Sequence, residues 1–453
     1  MTDNQAMHFL IVGAGFGGLA CALELQRKGC TVHVLEKEKQ LSESGDVIII
    51  AANGTIVIEK WPAVWNDLNV TASKIPAITI QDSAGKLLVS QPWDEAYNGH
   101  INIWTSRARL QKAMYDEAIR QGVKITFGAK VSDHWEEGDS AGVFVNGEKL
   151  VADAVIGADG VYSKTRTYIT KAPDSPTRSG VAIYRSWFPM DRLLENPLTR
   201  DLAKNAKDSS FVWIGEDRHA IVHFNSTLQH VGAFLTHKDT YTVEESWSYP
   251  GKVKDMLAFV EGWDPLLRAV FSQIPEEVLI DFKLLWRDPI KKWVSDAQRV
   301  VLIGDAAHPH LPTSASGAAQ ALEDAATLAA LIDKAGKANI SKALMAFEKI
   351  RFERTTATQR MGWETRHKWH QTDWDLVREN PEYLQIPQPD WLYGADPERY
   401  AYENYDSVIE HLEKGTPFKN TNIPPGYEYT EWSTGELTEL DKQTGDESIY
   451  IVK

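Results

Sequence analysis

The feature that most constrains this chain is a glycine-rich turn between a strand-like and a helix-like segment near its start. Residues 9–12 are apolar and β-prone, and the turn after them reads Gly-x-Gly-x-x-Gly at Gly13, Gly15 and Gly18. The first glycine permits a tight turn, the second lets the backbone approach a pyrophosphate, and the third lets helix and strand pack closely. The helix N-terminus adds unpaired N–H groups and a partial positive charge. The stretch therefore predicts a dinucleotide-binding βαβ unit.

An acidic residue follows the second strand of this unit. Residues 31–35 are strand-like and end on Glu36, which is followed by Lys37. A carboxylate at that distance from the glycines accepts hydrogen bonds from the ribose hydroxyls of the adenosine. An acid there also repels a 2′-phosphate, which favours FAD or NAD over NADP as the bound nucleotide. The predicted nucleotide-binding residues of this unit are Gly13, Gly15, Gly18, Glu36 and Lys37.

The composition is that of a globular protein with a large core. Of the 453 residues, 43% are hydrophobic and 25% are charged. This length accommodates two or three domains. The formal net charge of −15 argues against nucleic acid or an anionic membrane surface as the main partner.

The cysteines and the apolar start of the chain bear on its compartment. Cys21 and Cys30 are too few for a disulfide framework and suit a reducing compartment. The apolar segment 9–25 is too short to span a bilayer comfortably, lacks a basic region before it, and is interrupted by glycines and Glu24. We therefore expect a cytoplasmic protein without an integral membrane segment, and we predict no metal site.

The chain after this unit changes character twice. Hairpins are predicted around residues 83–86 and at Asn146-Gly147, a dipeptide typical of tight β-turns. Residues 46–58 fit either a strand or a short helix and a turn. Between residues 175 and 285, short alternating runs favour an antiparallel sheet.

The last third is predicted to be helical and then irregular. Helical periodicity is present over residues 317–334 and 341–378. Beyond Pro381, prolines, aromatic residues and acids indicate an irregular tail along the surface.

Two more motifs lie far from the first. Residues 157–166 read Gly-Ala-Asp-Gly-Val-Tyr-Ser-Lys-Thr-Arg. Residues 304–309 read Gly-Asp-Ala-Ala-His-Pro and are followed by Pro312 and Gly317. Both follow strand-like segments, so we expect them near the glycine-rich turn at one edge of a sheet.

The three motifs in this order resemble those of the FAD-dependent aromatic hydroxylases, which are salicylate hydroxylase-like, single-component group A flavoprotein monooxygenases. Ser163 and Arg166 fit that family's Asp-Gly-x-x-Ser-x-x-Arg pattern. The resemblance covers residues 8–375. Its other matches are Arg107 with Leu110 for Arg-x-x-Leu, Trp286-Arg287-Asp288-Pro289, Trp293 and Arg299-Val300 before Gly304-Asp305, and Arg351 and Arg354 on a later helix.

The resemblance implies an α/β fold in which a Rossmann-like FAD-binding domain is interleaved with an antiparallel-sheet substrate domain. A C-terminal helical region and a tail follow. The expected ranges are 1–75, 100–174 and 285–335 for the FAD-binding domain, 76–99 and 175–284 for the substrate domain, 336–380 for the helices, and 381–453 for the irregular tail.

FAD is the implied cofactor. In the family's pattern Arg107 touches the flavin, and Asp305 at a strand end is placed to accept hydrogen bonds from the ribityl hydroxyls. The helix that begins at Gly317 and Ala318 directs its N-terminal N–H groups at the flavin, which favours the anionic reduced form. Asp159 is implied near both FAD and the approaching nicotinamide, and its simpler interpretation is a turn-forming aspartate.

The chain departs from the family's pattern at two places. Ser316 and Ala319 stand where many members have Gln and Asn, so the flavin's pyrimidine edge is expected to contact more backbone here. Phe224-Asn225 stands where the family often has Tyr-Pro, so this chain has no tyrosine at that position to act as a catalyst.

The implied activity is that of a monooxygenase. No second Gly-x-Gly-x-x-Gly follows a strand, so NAD(P)H is expected to bind transiently, reduce the flavin and leave. Oxygen then adds at C4a of the reduced flavin, and the hydroperoxide hydroxylates an aromatic, phenolic small molecule, most readily as its phenolate. Epoxidation, Baeyer–Villiger and dearomatising oxidation share this chemistry and stay open. A non-catalytic binding protein on the same fold is an alternative of another class, and a homodimer is expected only by family analogy.

Candidate catalytic residues lie on the predicted antiparallel sheet. Arg185 is the first choice, because a guanidinium holds a carboxylate or phenolate bidentately. Tyr184 is its neighbour, and His219 or His223 has the chemistry of a base near neutral pH. The simpler alternatives are a surface ion pair for the arginine and solvent-facing positions for the histidines. His308 in the third motif is expected to be structural, because the neighbouring prolines shape its loop.

Overall fold

The computed structural model describes residues 6–41, 45–173, 177–239, 249–433 and 435–437. The parts of the expected domain ranges at 1–5, 42–44, 174–176, 240–248, 434 and 438–453 lie outside the described residues. Within the described ranges, no helix combines the length and the apolar character needed to cross a bilayer.

All the described strands lie in the first two-thirds of the chain. In chain order they are β1 (His8–Val12), β2 (Thr31–Leu35), β3 (Val47–Ile50), β4 (Ala77–Asp82), β5 (Leu87–Pro92), β6 (Ala96–Tyr97), β7 (His100–Ile101), β8 (Ile103–Ser106), β9 (Lys124–Thr126), β10 (Val131–Glu137), β11 (Ser140–Val145), β12 (Glu148–Ala152), β13 (Ala154–Gly157), β14 (Thr177–Pro189), β15 (Ser209–Gly215), β16 (Arg218–Asn225), β17 (His230–Lys238), β18 (Ile280–Trp286) and β19 (Val300–Leu302).

Helices connect the strands and form most of the last third. They are α1 (Phe16–Arg27), α2 (Ala52–Ile58), α3 (Pro62–Thr71), α4 (Arg107–Arg120), α5 (Lys164–Thr170), α6 (Arg200–Lys204), α7 (Val253–Phe259), α8 (Pro265–Phe271), α9 (Gly317–Ala335), α10 (Ile340–His370), α11 (Trp374–Glu379), α12 (Asp390–Tyr393) and α13 (Pro397–Lys414).

A five-stranded parallel sheet carries the three sequence motifs. Its strand order is β19-β13-β1-β2-β9, and all its described pairings are parallel. Phe9 to Val12 are buried on both faces of β1, as expected for a central strand covered by helices. The first, second and third motifs follow β1, β13 and β19, which lie side by side. The carboxyl ends of these strands therefore bring all three motifs to one edge.

A second sheet of seven strands is mostly antiparallel, as predicted for the middle of the chain. Its order is β18-β14-β17-β16-β15-β4-β5, and only the β15–β4 pair is parallel. One face packs on α7 and α8 through a core that includes Tyr184, Phe224 and Leu267. The other face packs on the β3–β8 ribbon, where Val47 lies against Gly232. Because side chains alternate along a strand, successive residues face opposite sides of the sheet: one faces α7 and α8, and the next faces the β3–β8 ribbon.

Several local predictions are confirmed and two are refined. The hairpins β4–β5 and β11–β12 form, and both Asn146 and Gly147 have positive φ, as the tight turn requires. Residues 46–58 hold both of the proposed elements, the strand β3 and the helix α2. The helical pattern of 341–378 is split, because α10 ends at His370 and α11 starts at Trp374.

The expected irregular tail after Pro381 is wrong for part of its described length. Residues 397–414 form the helix α13, which has the Asp396 carboxylate as its N-terminal cap and Gly415 as its C-terminal cap. Its buried residues Ala401, Tyr405 and Val408 join the core around the parallel sheet. Prolines and aromatic residues around this segment masked a regular amphipathic pattern within it.

A charge cluster attaches α13 to the nucleotide-binding unit. Glu398 accepts hydrogen bonds from Arg27 (2.7 Å), Lys28 and Lys60. Burial alone would raise the pKa of Glu398, but these three cations lower it to about 2. A carboxyl with a lowered pKa stabilises the fold above its ordinary value near 4.5, and this contribution is lost as the pH falls towards 2.

We expect Glu398→Gln to lower the free energy of unfolding by about 1–2 kcal/mol at pH 7, after allowance for solvent screening. The difference in the free energy of unfolding between wild type and the variant should narrow as the pH falls from 4.5 towards 2. Denaturant unfolding at a series of pH values measures this difference. The control is Glu403→Gln on the same helix, whose exposed partner Arg399 lies 3.9 Å away and which should stay within about 0.5 kcal/mol of wild type. Equal stability of the Glu398 variant at pH 7 would contradict this role.

Candidate flavin site

The glycine-rich turn touches the second motif directly. Gly13 has φ +106°, and a Cβ built there would lie 2.4 Å from the carbonyl oxygen of Ala158. A Cβ on Gly18 would lie 2.0 Å from the carbonyl oxygen of Gly13. These two positions therefore need glycine for the fold itself, as the motif predicts.

Gly15 has a different reason to be glycine. Its φ is −74°, which any residue adopts, and a Cβ built there would meet nothing within 4 Å. The position is exposed beside the N-terminus of α1. A side chain at Gly15 would fill open space next to unpaired helix N–H groups, which are what a pyrophosphate needs.

The second and third motifs are joined by Arg166. Its Nε donates to the carbonyl oxygen of Ala306 at 2.8 Å, and Nη2 donates to that of Asp305 at 2.9 Å. Nη1 donates to the carbonyl oxygen of Val161 at 2.8 Å. The guanidinium is buried, so the relative position of the two loops is fixed from inside the protein.

The third motif presents Asp305 at the protein surface. Asp305 lies on a short 3₁₀ turn, Gly304–Ala306, and the residue is exposed to solvent. The surrounding protein mass still hinders its hydration and raises the pKa of Asp305. The helix α9 starts nearby with Gly317 and Ala318 half-buried, and no side chain caps it.

The acidic candidates of the first two motifs are already hydrogen-bonded. Glu36 accepts from the N–H groups of Ala14 (2.7 Å) and Glu38 (2.9 Å), and Lys37 beside it is exposed. Asp159 accepts from the Ser163 hydroxyl at 2.5 Å and from the backbone N–H and hydroxyl of Thr165, both at 3.1 Å. Its carboxylate therefore organises the start of α5, which favours the simpler interpretation of Asp159 as a turn-forming residue.

These observations fit an extended dinucleotide. The open space at Gly15, the exposed Asp305 and the uncapped start of α9 lie on one surface, where Cβ atoms built on Gly17 and Gly304 would both contact Ala321 of α9, at 3.6 and 3.4 Å. Arg107 borders this surface, with its guanidinium 5.5 Å from the ring centre of Phe16 and its side chain partly exposed. Among the described residues, no group of three or more His, Cys, Asp or Glu is arranged to hold a metal ion.

The family comparison agrees with this geometry. Residues 6–360 match the model of a family described as an FAD binding domain. The chain belongs to this family. FAD is therefore the cofactor of this flavoprotein, as the three motifs predicted.

Three relatives of this chain are named as monooxygenases. The flavoprotein is 32% identical to the FAD-dependent monooxygenase fsr3 of Gibberella fujikuroi, over 97% of this chain and 87% of the relative. It is 34% identical to the FAD-dependent monooxygenase nanF of Aspergillus nanangensis, over 94% and 95%. It is 35% identical to the asperlicin C monooxygenase of Petromyces alliaceus, over 90% of each. The flavoprotein is thus an FAD-dependent monooxygenase.

Solved structures show the same fold. The crystal structure of CtdE in complex with FAD and a substrate superposes with a TM-score of 0.85 at 30% identity, covering 90% of this chain and all of that one. A salicylate hydroxylase substrate complex superposes with a TM-score of 0.74 at 19% identity, covering 89% and 98%. The second similarity concerns the fold alone.

A charged triad lies where the two sheets meet. Asp46, just before β3, accepts from Arg107 Nε at 2.9 Å and from Arg185 Nη1 at 3.3 Å. Burial opposes ionisation of Asp46, but the two arginines outweigh it and lower its pKa. Burial also lowers the pKa of Arg185. Arg185 is thus a buried residue facing the FAD-binding unit, and the surface ion pair considered above is wrong.

Tyr184 points away from this triad. It lies on the opposite face of β14, stacked on His237 with ring centres 4.5 Å apart and packed near Phe259. Strand alternation places neighbouring residues on opposite faces, so Tyr184 belongs to the core under α7 and α8. It is not placed to touch a substrate beside Arg185.

His219 and His223 share the face of Arg185, but both are buried, so the solvent-facing alternative is wrong for them. His223 stacks on Trp104 with ring centres 4.6 Å apart and contacts the Ser73 hydroxyl at 3.1 Å. His219 contacts His370 at 2.9 Å. Burial lowers the pKa of both candidates to about 3, so both are neutral at pH 7 and are weak bases.

Sequence reasoning missed two acidic residues at the site. Asp46 precedes an apolar run without any local pattern, and only the fold brings it between two arginines. Asp324 was signalled more clearly, because Glu323 and Asp324 interrupt an otherwise apolar face of α9. Charged residues inside a helix of this kind indicate buried partners.

Substitutions at two glycines should separate FAD binding from folding. Gly15→Ala should leave the stability of the apoprotein unchanged and weaken FAD binding at least tenfold, because the new methyl group occupies the open space assigned to the pyrophosphate. Gly13→Ala should instead destabilise the protein by about 2 kcal/mol or more, because φ is positive and the Cβ clashes with backbone. Titration with FAD by flavin fluorescence and thermal unfolding measure the two effects. Unchanged FAD affinity in Gly15→Ala would refute the position assigned to the pyrophosphate.

Proposed function

We propose that this FAD-dependent monooxygenase uses NAD(P)H and O₂ to hydroxylate an aromatic, phenolic small molecule. Bound FAD supplies the chemistry, because reduced flavin reacts with O₂ to form the oxygen donor. The residues of this chain hold the flavin, orient the substrate and stabilise its charge. The absence of a second glycine-rich nucleotide motif in the sequence supports a transiently bound nicotinamide.

The observation that carries the proposal is the placement of Arg185 with Asp46 and Arg107. The triad sets two guanidiniums against one ionised carboxylate, with Arg185 buried and Arg107 partly exposed. Such an arrangement favours an anionic substrate group, either a phenolate or a carboxylate, over its neutral form. Phenolate is the more reactive form of a phenol towards an electrophilic oxygen. Arg185 therefore supplies what a hydroxylase of phenols needs without an imidazole base.

The surroundings of Arg185 suit an aromatic ring. Its guanidinium lies 4.9 Å from the ring centre of Phe282, and Ile221 and Phe234 on neighbouring strands are only half-buried. The 3.3 Å contact with Asp46 is long for a hydrogen bond to a carboxylate. An anionic oxygen of a substrate can therefore compete for the same guanidinium.

One relative bears on the class of substrate. Asperlicin C monooxygenase shares 35% identity with this chain, which favours a secondary metabolite as the substrate class. Epoxidation, Baeyer–Villiger insertion or dearomatising oxidation of such a compound would use the same site.

The direct experiment is a panel of phenols, hydroxybenzoates and aromatic secondary metabolites. We expect at least one phenolic compound to stimulate NAD(P)H consumption and to yield a product 16 mass units heavier, the mass of the oxygen atom transferred. Ring hydroxylation and epoxidation are then distinguished by the structure of the product. If only non-phenolic compounds were oxidised, the phenolic assignment would be wrong and the related oxidations would be favoured.

Arg185→Met tests the role of the guanidinium. We expect KM for a phenolic substrate to rise at least tenfold, because one charge-assisted hydrogen bond is lost, while FAD stays bound. The matched control is Arg218→Met on the opposite face of the same sheet, where Arg218 donates to the carbonyl oxygen of Phe259. Steady-state kinetics and the flavin absorption of both variants measure this. Unchanged kinetics in Arg185→Met would remove Arg185 from the site.

A further inference from the structure

A buried charge network lies directly behind the loop that carries Asp305. Its members on α9 are Glu323 and Asp324, and its members on α10 are Arg351 and Arg354, all with no exposed surface. Two carboxylates and two guanidiniums balance in charge. Such a cluster is costly to bury unless every member is hydrogen-bonded, so its retention inside the protein needs a reason.

Asp324 is the member that contacts the flavin loop. Its Oδ2 accepts from the backbone N–H of Gly304 at 2.8 Å and from Nε2 of His308 at 2.6 Å. Its Oδ1 accepts from Arg351 Nε at 2.7 Å. One carboxylate oxygen therefore holds both ends of the segment 304–308, with Asp305 between them.

The loop itself is a single tight turn. The N–H of His308 donates to the carbonyl oxygen of Gly304 at 2.8 Å, and Gly304 has φ +56°. Nδ1 of His308 is buried without a hydrogen-bond partner in the described part of the chain. The imidazole donates to Asp324 from Nε2, so His308 acts as a structural donor within the loop, as the sequence suggested.

Glu323 lies next to Asp324 in the chain but faces another part of the protein. It accepts from Arg354 at 2.7 Å, from Asn53 at 2.6 Å and from Arg351. Arg354 in turn donates to the carbonyl oxygens of Trp391, Leu392 and Asn422 in the C-terminal segment. The two carboxylates thus share burial, charge and one arginine, and only Asp324 reaches the flavin loop.

We propose that Asp324 is a positioning residue that presents Asp305 to FAD, with His308 as its partner in the loop. Arg351 keeps the Asp324 carboxylate ionised and oriented. The proposal concerns the cofactor and is independent of which substrate the enzyme oxidises.

The experiment compares FAD affinity in Asp324→Asn and Glu323→Gln. Each variant removes one buried negative charge and places an amide against arginine, so each disturbs the ion cluster to a similar extent. The loop contacts one oxygen of the Asp324 carboxylate and Arg351 contacts the other, and an asparagine replaces one of these two acceptors with an NH₂ donor. We expect Asp324→Asn to weaken FAD binding about tenfold or more relative to Glu323→Gln, the loss that a charge-assisted hydrogen bond carries.

A second variant acts from the loop side. His308→Leu leaves the ion cluster of α9 and α10 intact and removes one hydrogen bond between Asp324 and the loop. His308→Leu should also weaken FAD binding. If Asp324→Asn does not fold, this variant alone tests the positioning role of Asp324. The readouts are the dissociation constant of FAD from fluorescence titration of the apoprotein and the thermal unfolding midpoint without FAD. The proposal is overturned if Glu323→Gln loses as much FAD affinity as Asp324→Asn, or if His308→Leu binds FAD like wild type.

Discussion

The buried guanidinium of Arg166 is the interaction on which the flavin site depends. It donates to carbonyl oxygens of Val161 in the second motif and of Asp305 and Ala306 in the third. Gly13 of the first motif packs against Ala158 with no room for a side chain. Three loops separated by more than a hundred residues therefore form one surface, because neighbouring parallel strands deliver them and one arginine joins two of them.

In the second sheet, the face to which a residue points decides whether it can take part in the site. Arg185 and Tyr184 are adjacent in the chain, yet one meets Asp46 at the boundary with the FAD-binding unit and the other enters a core with His237. The charge of Arg185 is retained in a buried place because Asp46 is ionised beside it. Burial also lowers the pKa values of His219 and His223, in their case to about 3. Desolvation disfavours the charged form of all three side chains, and in the described part of the chain an ionised carboxylate offsets it only for Arg185, whereas His219 and His223 contact neutral groups.

The sequence could predict the parts of the site whose chemistry lies in local patterns. Gly13, Gly18 and Arg166 have roles that follow from backbone geometry or a motif, and the structure brings their loops together. The face to which Tyr184 points and the burial of His219 could not be predicted, because both depend on strand register and on helices from distant segments. Asp46 has no local signature at all. The helix α13 was missed because flanking prolines and aromatics obscured its apolar spacing.

The most direct test of this account is the FAD content of purified wild-type protein and of Arg166→Met, measured by visible absorption after dialysis. The account predicts about one FAD per chain in the wild type and a largely colourless, folded variant, because the second and third loops lose the hydrogen bonds that hold them together. A colourless wild type that takes up no FAD, or an Arg166→Met protein that retains FAD as fully as wild type, would contradict it.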